Sequence, residues 1–273
     1  MKLTYLGTAA AEGFPAVFCN CEYCRSAALL GGKNIRTRSQ ALINEDLLLD
    51  LPADTYSHFL NNGIRGDKIQ YLFVTHSHVD HFYSKELSMR KPPFAHHMDR
   101  PRLQVYSNEK CYHEACALVE EEAAVDLYRI QPFETVCAGA YQVTALPARH
   151  AEGAEKALFY IIQGDKTLLY AHDTGYFYEE VFAFLQEKQL RFDLISMDCT
   201  NVEIPIADTG SHMGFPNINR VVQRLEQIGA VDRDTVKIIN HFSHNGNPQQ
   251  HILEEKAAPY GYLVAYDGMT IEI

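Results

Sequence analysis

The sequence lacks any long apolar segment. No run in its 273 residues approaches the roughly 18 consecutive apolar residues of a membrane-spanning helix, which excludes that class of protein. The first seven residues contain one basic residue and then polar Thr4 and Gly7, so they also lack the apolar core of a secretory signal. We therefore expect a cytoplasmic protein with no membrane partner.

Positive charge and linker-like segments are also scarce. The 24 Lys and Arg residues against 35 Asp and Glu residues give a formal net charge of −11. Because phosphate contacts dominate nucleic-acid affinity, this balance disfavours a stable nucleic-acid partner, although a small anionic substrate stays compatible with it. No Pro/Gly/Ser-rich stretch, charge block or low-complexity run divides the chain. One domain over residues 1–273 is the simplest expectation.

Short apolar and β-branched runs recur along the chain and predict strands, while periodic apolar positions predict helices between some of them. Strand clusters occur in both halves of the chain, and each cluster is followed by helices. This order predicts an α/β protein with two sheets covered by helices on the outside. The predicted strands are 3–6, 41–43, 47–49, 69–75, 103–106, 141–146, 157–163, 166–171, 192–197, 236–240, 262–266 and 269–273, and the predicted helices are 56–63, 109–124, 178–189 and 217–229.

The densest chemical signal follows the predicted strand at 69–75. His76, His78, Asp80 and His81 lie within six residues, at the carboxyl end of a strand, where ligand sites of α/β folds are found. Side chains two residues apart in an extended chain point the same way, so His76 and His78 share a face. Imidazole and carboxylate groups suit Zn, Mn or Fe, and the segment predicts a metal site; the alternative is a solvated loop rich in histidine.

Three further candidates occupy the same position relative to other strands. His150, Asp173 and His241 are each among the first polar residues after a predicted strand. Any one of them alone would be an ordinary surface residue. Their shared placement predicts that one sheet edge gathers all three beside the histidine-rich segment.

The pattern His-x-His-x-Asp-His followed by a spaced His, Asp and His resembles the metallo-β-lactamase fold superfamily. The resemblance spans nearly the whole chain and implies an αββα sandwich of two mixed sheets with outer helices and a dinuclear metal site. It implies one ion, manganese or zinc or else iron, on His76, His78 and His150, and a second on Asp80, His81 and His241. Asp173 would bridge them, with a water or hydroxide between the ions. The Asp80/His81 pair and the bridging Asp173 resemble the phosphodiesterase branch, which implies attack on phosphorus with Asp80 in a catalytic role.

A second metal signal lies near the N-terminus. Cys19, Cys21 and Cys24 place three thiols within six residues, and a closed tetrahedral zinc site needs a fourth ligand. With His244 three residues after His241, the set resembles the structural zinc site of PhnP-like cyclic phosphodiesterases. The alternative is a trio of free thiols. The remaining cysteines are interpreted as small hydrophobic residues.

A leaving alkoxide requires a proton, and His212 in a glycine-flanked loop is the candidate that the resemblance implies. Asp198, at the end of a predicted strand, is the candidate to orient it; the alternative for Asp198 is a loop carboxylate that caps local N–H groups. Arg36, Arg38 and Arg149 are open candidates for contacts with a substrate phosphate. A Pro-rich stretch at 91–95 with His96 and His97 is a candidate lid, and the histidines at 58, 113 and 251 are expected on the surface.

The resemblance implies hydrolysis of a small cyclic phosphodiester. Two alternatives remain. An RNase Z-like nuclease is disfavoured because only 22 residues separate His150 from Asp173, which leaves no room for the long arm of that family. A PqqB-like fold that binds a ligand without catalysis is disfavoured by the intact seven-ligand set. By analogy the chain is also a candidate homodimer.

Overall fold

The chain folds into two seven-stranded mixed sheets, in a computed structural model that describes every residue except Pro101 and Glu152. The first sheet contains β1 (Lys2–Gly7), β2 (Gln40–Ile43), β3 (Leu47–Leu49), β4 (Tyr71–Phe73), β5 (Leu103–Ser107), β6 (Val125–Arg129) and β14 (Thr270–Glu272). Their order is β14-β1-β2-β3-β4-β5-β6, antiparallel from β14 to β3 and parallel from β3 to β6.

The second sheet is formed by the strands that lie between β6 and β14 in the sequence. It contains β7 (Thr135–Ala138), β8 (Tyr141–Pro147), β9 (Leu158–Gln163), β10 (Thr167–Ala171), β11 (Leu194–Asp198), β12 (Val236–Asn240) and β13 (Leu263–Val264). Their order is β13-β12-β11-β10-β9-β8-β7. Strands β10 to β13 run parallel, whereas β7, β8 and β9 form antiparallel pairs.

Six α-helices complete the described part of the chain: α1 (Glu22–Leu30), α2 (Thr55–Asn62), α3 (Glu109–Cys116), α4 (Glu179–Glu187), α5 (Phe215–Gln227) and α6 (Gln250–Ala257). One apolar cluster contains side chains of both sheets, and two others contain the outer faces of the sheets with residues of the flanking helices. This is the expected αββα sandwich of two mixed sheets. No helix among the described residues has the length and hydropathy to cross a membrane.

The predicted helix at 109–124 is wrong in its second half. Helix α3 ends at Cys116, a 3₁₀ turn follows at Glu121–Ala123, and the chain then enters β6. Leu118, which extended the helical pattern, is 39% exposed, so the helix has no core to cover there. Strands β6 and β7 and helices α1 and α6 were also absent from the prediction; β6 mixes apolar and charged residues, and β7 is only four residues long.

Strands of both sheets end at one edge of the sandwich. Strands β3 and β4 of the first sheet are parallel neighbours and end at this edge. Strands β8, β10, β11 and β12 of the second sheet end beside them. Strands β8 and β10 both pair antiparallel to β9, so their carboxyl ends also lie on the same side. Every residue predicted for the His/Asp metal site follows one of these strands.

Candidate metal centre

The seven predicted His/Asp ligands meet at this edge in two groups. The first group consists of His76, His78, His150 and Asp173, and the second of Asp80, His81, Asp173 and His241. Within each group the possible ligand atoms all lie within 4.8 Å of one another. Asp173 is the member that the two groups share.

The carboxylate of Asp173 lies between the two groups. Its Oδ2 is 3.3 Å from Nε2 of His76 and 3.0 Å from Nε2 of His81. Its Oδ1 is 2.8 Å from Nε2 of His241. Asp173 and His241 both have positive φ angles, 47° and 63°, a conformation that costs free energy for such residues and that concentrates at functional sites.

Polar groups outside the centre bind one ring nitrogen of three histidines. Nδ1 of His81 donates to Asp50, Nδ1 of His150 donates to the Ser211 carbonyl, and Nδ1 of His241 contacts the Thr200 hydroxyl, at 2.6, 3.1 and 2.8 Å. These contacts hold each imidazole with its Nε2 facing the centre.

The donor set fits two divalent cations. Oδ1 of Asp173 is buried and accepts no hydrogen bond of normal geometry, despite its short contact with His241. In the first group, Nδ1 of His78 lies 2.9 Å from Nε2 of His76 and 3.1 Å from Nε2 of His150. Burial and the neighbouring His81 lower the pKa of His76 to about 3, which keeps its imidazole neutral and able to bind a metal. Converging imidazole nitrogens and carboxylate oxygens of this kind suit Zn, Mn or Fe.

Asp50 is a member of the site that the sequence analysis missed. It is fully buried, has a φ of 65°, and its carboxylate accepts hydrogen bonds from His81 and from the backbone and hydroxyl of Thr75. A carboxylate in this position orients the imidazole and raises its basicity as a ligand. The signal was present, because Asp50 directly follows β3, as His241 directly follows β12.

His212 and Asp198 lie together beside the two groups. Nδ1 of His212 donates to Oδ2 of Asp198 at 3.0 Å and lies 3.7 Å from Oδ1 of Asp173. Asp198 also accepts hydrogen bonds from the backbone of Met213 and from Thr200. Burial lowers the pKa of His212, but the Asp198 and Asp173 carboxylates outweigh that effect and raise it to about 9. The pair therefore places a histidine that favours its protonated form next to Asp173.

The three N-terminal cysteines meet His244 as predicted. Possible ligand atoms of Cys19, Cys21, Cys24 and His244 lie within 4.8 Å of one another. Nδ1 of His244 is 3.8 Å from the sulfur of Cys21 and 3.6 Å from that of Cys24. Cys21 is also the N-cap of α1, because its sulfur accepts from the backbone N–H of Cys24. The other four cysteines lie outside this cluster.

The arginine candidates have different environments. Arg36 is only 2% exposed and donates to the Thr8 hydroxyl, the Gln250 side chain and the Ala265 carbonyl, so the idea that it contacts substrate is wrong. Arg38 pairs with Asp54. Arg149 precedes His150 and stacks on the ring of Tyr178 at 4.1 Å, which leaves it a candidate.

Two further expectations are wrong. Phe94, Ala95 and His96 line a largely apolar cavity of about 650 Å³ with α2, and no residue of the two metal groups lines that cavity, so the stretch is no lid over the metal centre. His58, expected on the surface, is buried under α2 and bonded to Gln40 and Thr37.

Comparison with known proteins identifies the family. Residues 53–242 match the family model described as a beta-lactamase superfamily domain. The chain belongs to this superfamily. The matched segment contains all seven residues of the His/Asp groups together with Asp198 and His212, whereas the three cysteines and His244 lie outside it. No curated protein matches the chain significantly.

Solved structures show the same fold over the whole chain. A new diphosphatase from the PhnP family is 22% identical, with 100% of this chain and 97% of that chain covered and a TM-score of 0.73. Zn²⁺-bound PqqB from Methylobacterium extorquens is 18% identical, with 100% of both chains covered and a TM-score of 0.75. Human tRNase Z, short form, is 14% identical, with 100% and 99% covered and a TM-score of 0.69. Identities this low show a shared fold and leave the activity of this chain to be argued from its own residues.

Proposed function

We propose that the protein is a metal-dependent phosphodiesterase that hydrolyses a small cyclic phosphate. The observation that carries the proposal is the position of the Asp173 carboxylate, between two His/Asp groups and 3.7 Å from the His212 imidazole. A phosphodiester needs charge neutralisation on its oxygens and a proton for the leaving alkoxide. This arrangement offers both within one site.

The two groups assign a role to each ligand. His76, His78 and His150 hold one ion, Asp80, His81 and His241 hold the other, and Asp173 bridges them. Two ions here, manganese or zinc or else iron, would polarise the phosphate and lower the pKa of an attacking water. Asp80 and Asp173 supply two negative charges that offset part of the positive charge of such a pair, and both are buried, so water does not screen them.

His212 is proposed as the proton donor and phosphate contact. Its Nδ1 is occupied by Asp198, which leaves Nε2–H as the donor available to substrate. The Asp198 carboxylate raises the pKa of this imidazole against the effect of burial, which favours the protonated form that a proton donor needs. Asp198, held in turn by Met213 and Thr200, is the residue that orients it.

The chain around the site supports a small substrate. Strands β9 and β10, joined by a short turn, occupy most of the segment between His150 and Asp173, so the long arm of an RNase Z-like nuclease has no counterpart there. The net charge of −11 also favours a small phosphodiester over RNA. The likeness to PqqB favours a second candidate, a metal-bound carrier that performs no hydrolysis.

Hydrolysis of bis(p-nitrophenyl) phosphate separates these two candidates. We expect the metal-depleted protein to be inactive and to gain turnover when manganese or zinc is added. A carrier would bind the metal without releasing p-nitrophenolate. The same assay on a panel of cyclic phosphates would rank the natural substrate class.

Two metal populations are expected in the same chain. The His/Asp pair opens to solvent at His78, whereas three thiolates and His244 form a closed set that suits structural zinc. Graded chelation followed by elemental analysis is expected to remove the first pair before the zinc, because closed thiolate sites hold zinc tightly. Fewer than two metal ions per chain, in protein from metal-replete cells, would contradict the assignment.

Cys21→Ser is expected to impair stability more than chemistry. The proposed zinc ties the N-terminal loop to His244, three residues from His241, and a structural zinc contributes folding free energy directly. The variant should melt earlier and lose one tightly bound zinc, measured by thermal unfolding and elemental analysis. Cys137→Ser, at an exposed cysteine outside the cluster, is the control and should change neither. Unchanged melting and zinc content in Cys21→Ser would favour free thiols.

A further inference from the structure

One buried carboxylate joins three segments beside the metal centre. The side chain of Glu155 is 3% exposed and lies in the loop between His150 and β9. Its Oε1 accepts hydrogen bonds from the backbone of Ser77 and from Nδ2 of Asn108, both at 2.9 Å. Its Oε2 accepts from the Ser77 hydroxyl at 2.8 Å and from Lys110 at 3.1 Å.

These contacts act on the first metal group. Ser77 lies between His76 and His78, so its two hydrogen bonds to Glu155 restrain the backbone that presents both imidazoles. Glu155 itself belongs to the loop that begins at His150, the third histidine of that group. The carboxylate therefore links the segment that carries His76 and His78 to the segment that carries His150. The imidazoles of all three residues must converge to bind one ion.

Further hydrogen bonds fix Glu155 and its partner Asn108 in place. Asn108 is the N-cap of α3, since its side chain accepts from the backbone of Cys111, and its Nδ2 also donates to the Lys156 carbonyl. Burial raises the pKa of Glu155, but the hydrogen bonds from Asn108, Ser77 and Lys110 outweigh it and lower the pKa to about 2. The group is thus a carboxylate that acts only as an acceptor.

The second metal group is held by different residues. His81 is oriented by Asp50, and His241 contacts Thr200. Neither contact passes through Glu155. A change at Glu155 is therefore expected to disturb the group of His76, His78 and His150 more than the other group.

We propose that Glu155 is a positioning residue for the ion held by His76, His78 and His150, and that it sets the affinity of that ion more than that of the other. This inference rests on the proposed function only in taking the two His/Asp groups as metal sites. Outer partners of metal ligands commonly contribute about 10–100-fold to metal affinity.

The test is a Co²⁺ titration of protein depleted of its His/Asp metals, followed by visible absorption and calorimetry. Wild-type protein should take up two ions at the His/Asp groups. In Glu155→Ala, one of these ions should bind about 10–100-fold more weakly, while the affinity of the other should change much less. Glu155→Gln should remain close to wild type, because the amide keeps an acceptor for the Ser77 N–H and a donor for its hydroxyl. Lys110→Met, which removes the exposed partner, is the matched control.

If Glu155→Ala fails to fold, Asn108→Asp provides the same test. It retains the cap acceptor for Cys111 but sets a second carboxylate against Glu155, and it should weaken the same ion. Unchanged affinity for both ions, equal weakening of both ions, or a wild-type chain that binds no ion at the first group would overturn the inference. A chain that binds both ions but hydrolyses no phosphodiester would refute the proposed function and leave the role of Glu155 intact.

Discussion

Asp173→Ala is expected to abolish measurable turnover and to prevent both His/Asp ions from binding tightly. The Asp173 carboxylate contacts histidines of both groups, whereas Asp80 belongs to only one of these two groups. Removing it also leaves the inward-facing nitrogens without their shared counter-charge. Metal content and phosphodiester hydrolysis measured on the same sample check both parts.

Two companion variants separate chemistry from backbone strain. Asp173 has a φ of 47°, which alanine tolerates poorly and asparagine better. Asp173→Asn keeps the shape and conformation of the residue but removes its charge, and it should lose activity as fully as the alanine variant. Asp234→Ala, at an exposed aspartate near the opposite end of β12, should behave as wild type. A variant at 173 that retains both ions and most of the activity would refute the bridging role.

His212→Ala is expected to retain both ions and to lower turnover by roughly 10²–10⁴-fold, the usual range for a positioned acid. His212 is proposed as a proton donor and not as a ligand, so the metal content should not change. The loss should be larger for a poor alkoxide leaving group, which needs the proton, than for p-nitrophenolate, which leaves without one. Rates on an alkyl ester and a p-nitrophenyl ester, measured in parallel, check the difference.

The size of that difference decides the role of His212. An equal loss on both substrates would reduce it to a phosphate contact, since binding alone slows both alike. No loss on either would remove it from the mechanism. Asp198→Asn should reproduce part of the effect, because it weakens the hydrogen bond that holds Nδ1. His251→Ala, at an exposed histidine on α6, is the control.

The candidate site was largely predictable because its residues share one local signal. His76, His150, Asp173 and His241 each follow an apolar strand, and strands that share a direction deliver such residues to one edge. Asp50 carries the same signal, because it directly follows the apolar strand β3.

Residues that act through the folded structure gave no such signal. Glu155 lies in a loop, and its partners at 77 and 108 are far from it in sequence, so only the packed structure shows that it is buried. Arg36 resembled a surface cation, yet four polar groups of the interior accept its hydrogen bonds. His58 lies in a helix whose inward face cannot be identified from the few apolar residues around it. Burial depends on tertiary neighbours, which local pattern does not specify.

The prediction of strands and helices failed where an element is stabilised by its tertiary neighbours and has no clear apolar run of its own. The strands β2, β3 and β8 to β12 were predicted because each contains a run of apolar residues whose side chains are mostly buried. The edge strands β6 and β7 have mixed polarity and form through pairing with their neighbours. Likewise α1 begins at Glu22 and is capped by Cys21, which is not one of the residues commonly found at a helix N-cap. The division into one domain stays a prediction.

The most direct test of the account is the hydrolysis of cyclic phosphates in ¹⁸O-labelled water by protein that carries two ions at the His/Asp groups. The panel should include 2′,3′-cyclic nucleotides and sugar 1,2-cyclic phosphates. The proposed phosphodiesterase activity predicts ring opening that requires added metal, with one ¹⁸O atom on phosphorus in the product monoester. It also predicts no reaction by Asp173→Asn. A chain that holds both ions and opens none of these rings, or an Asp173→Asn variant that opens them at the wild-type rate, would contradict it.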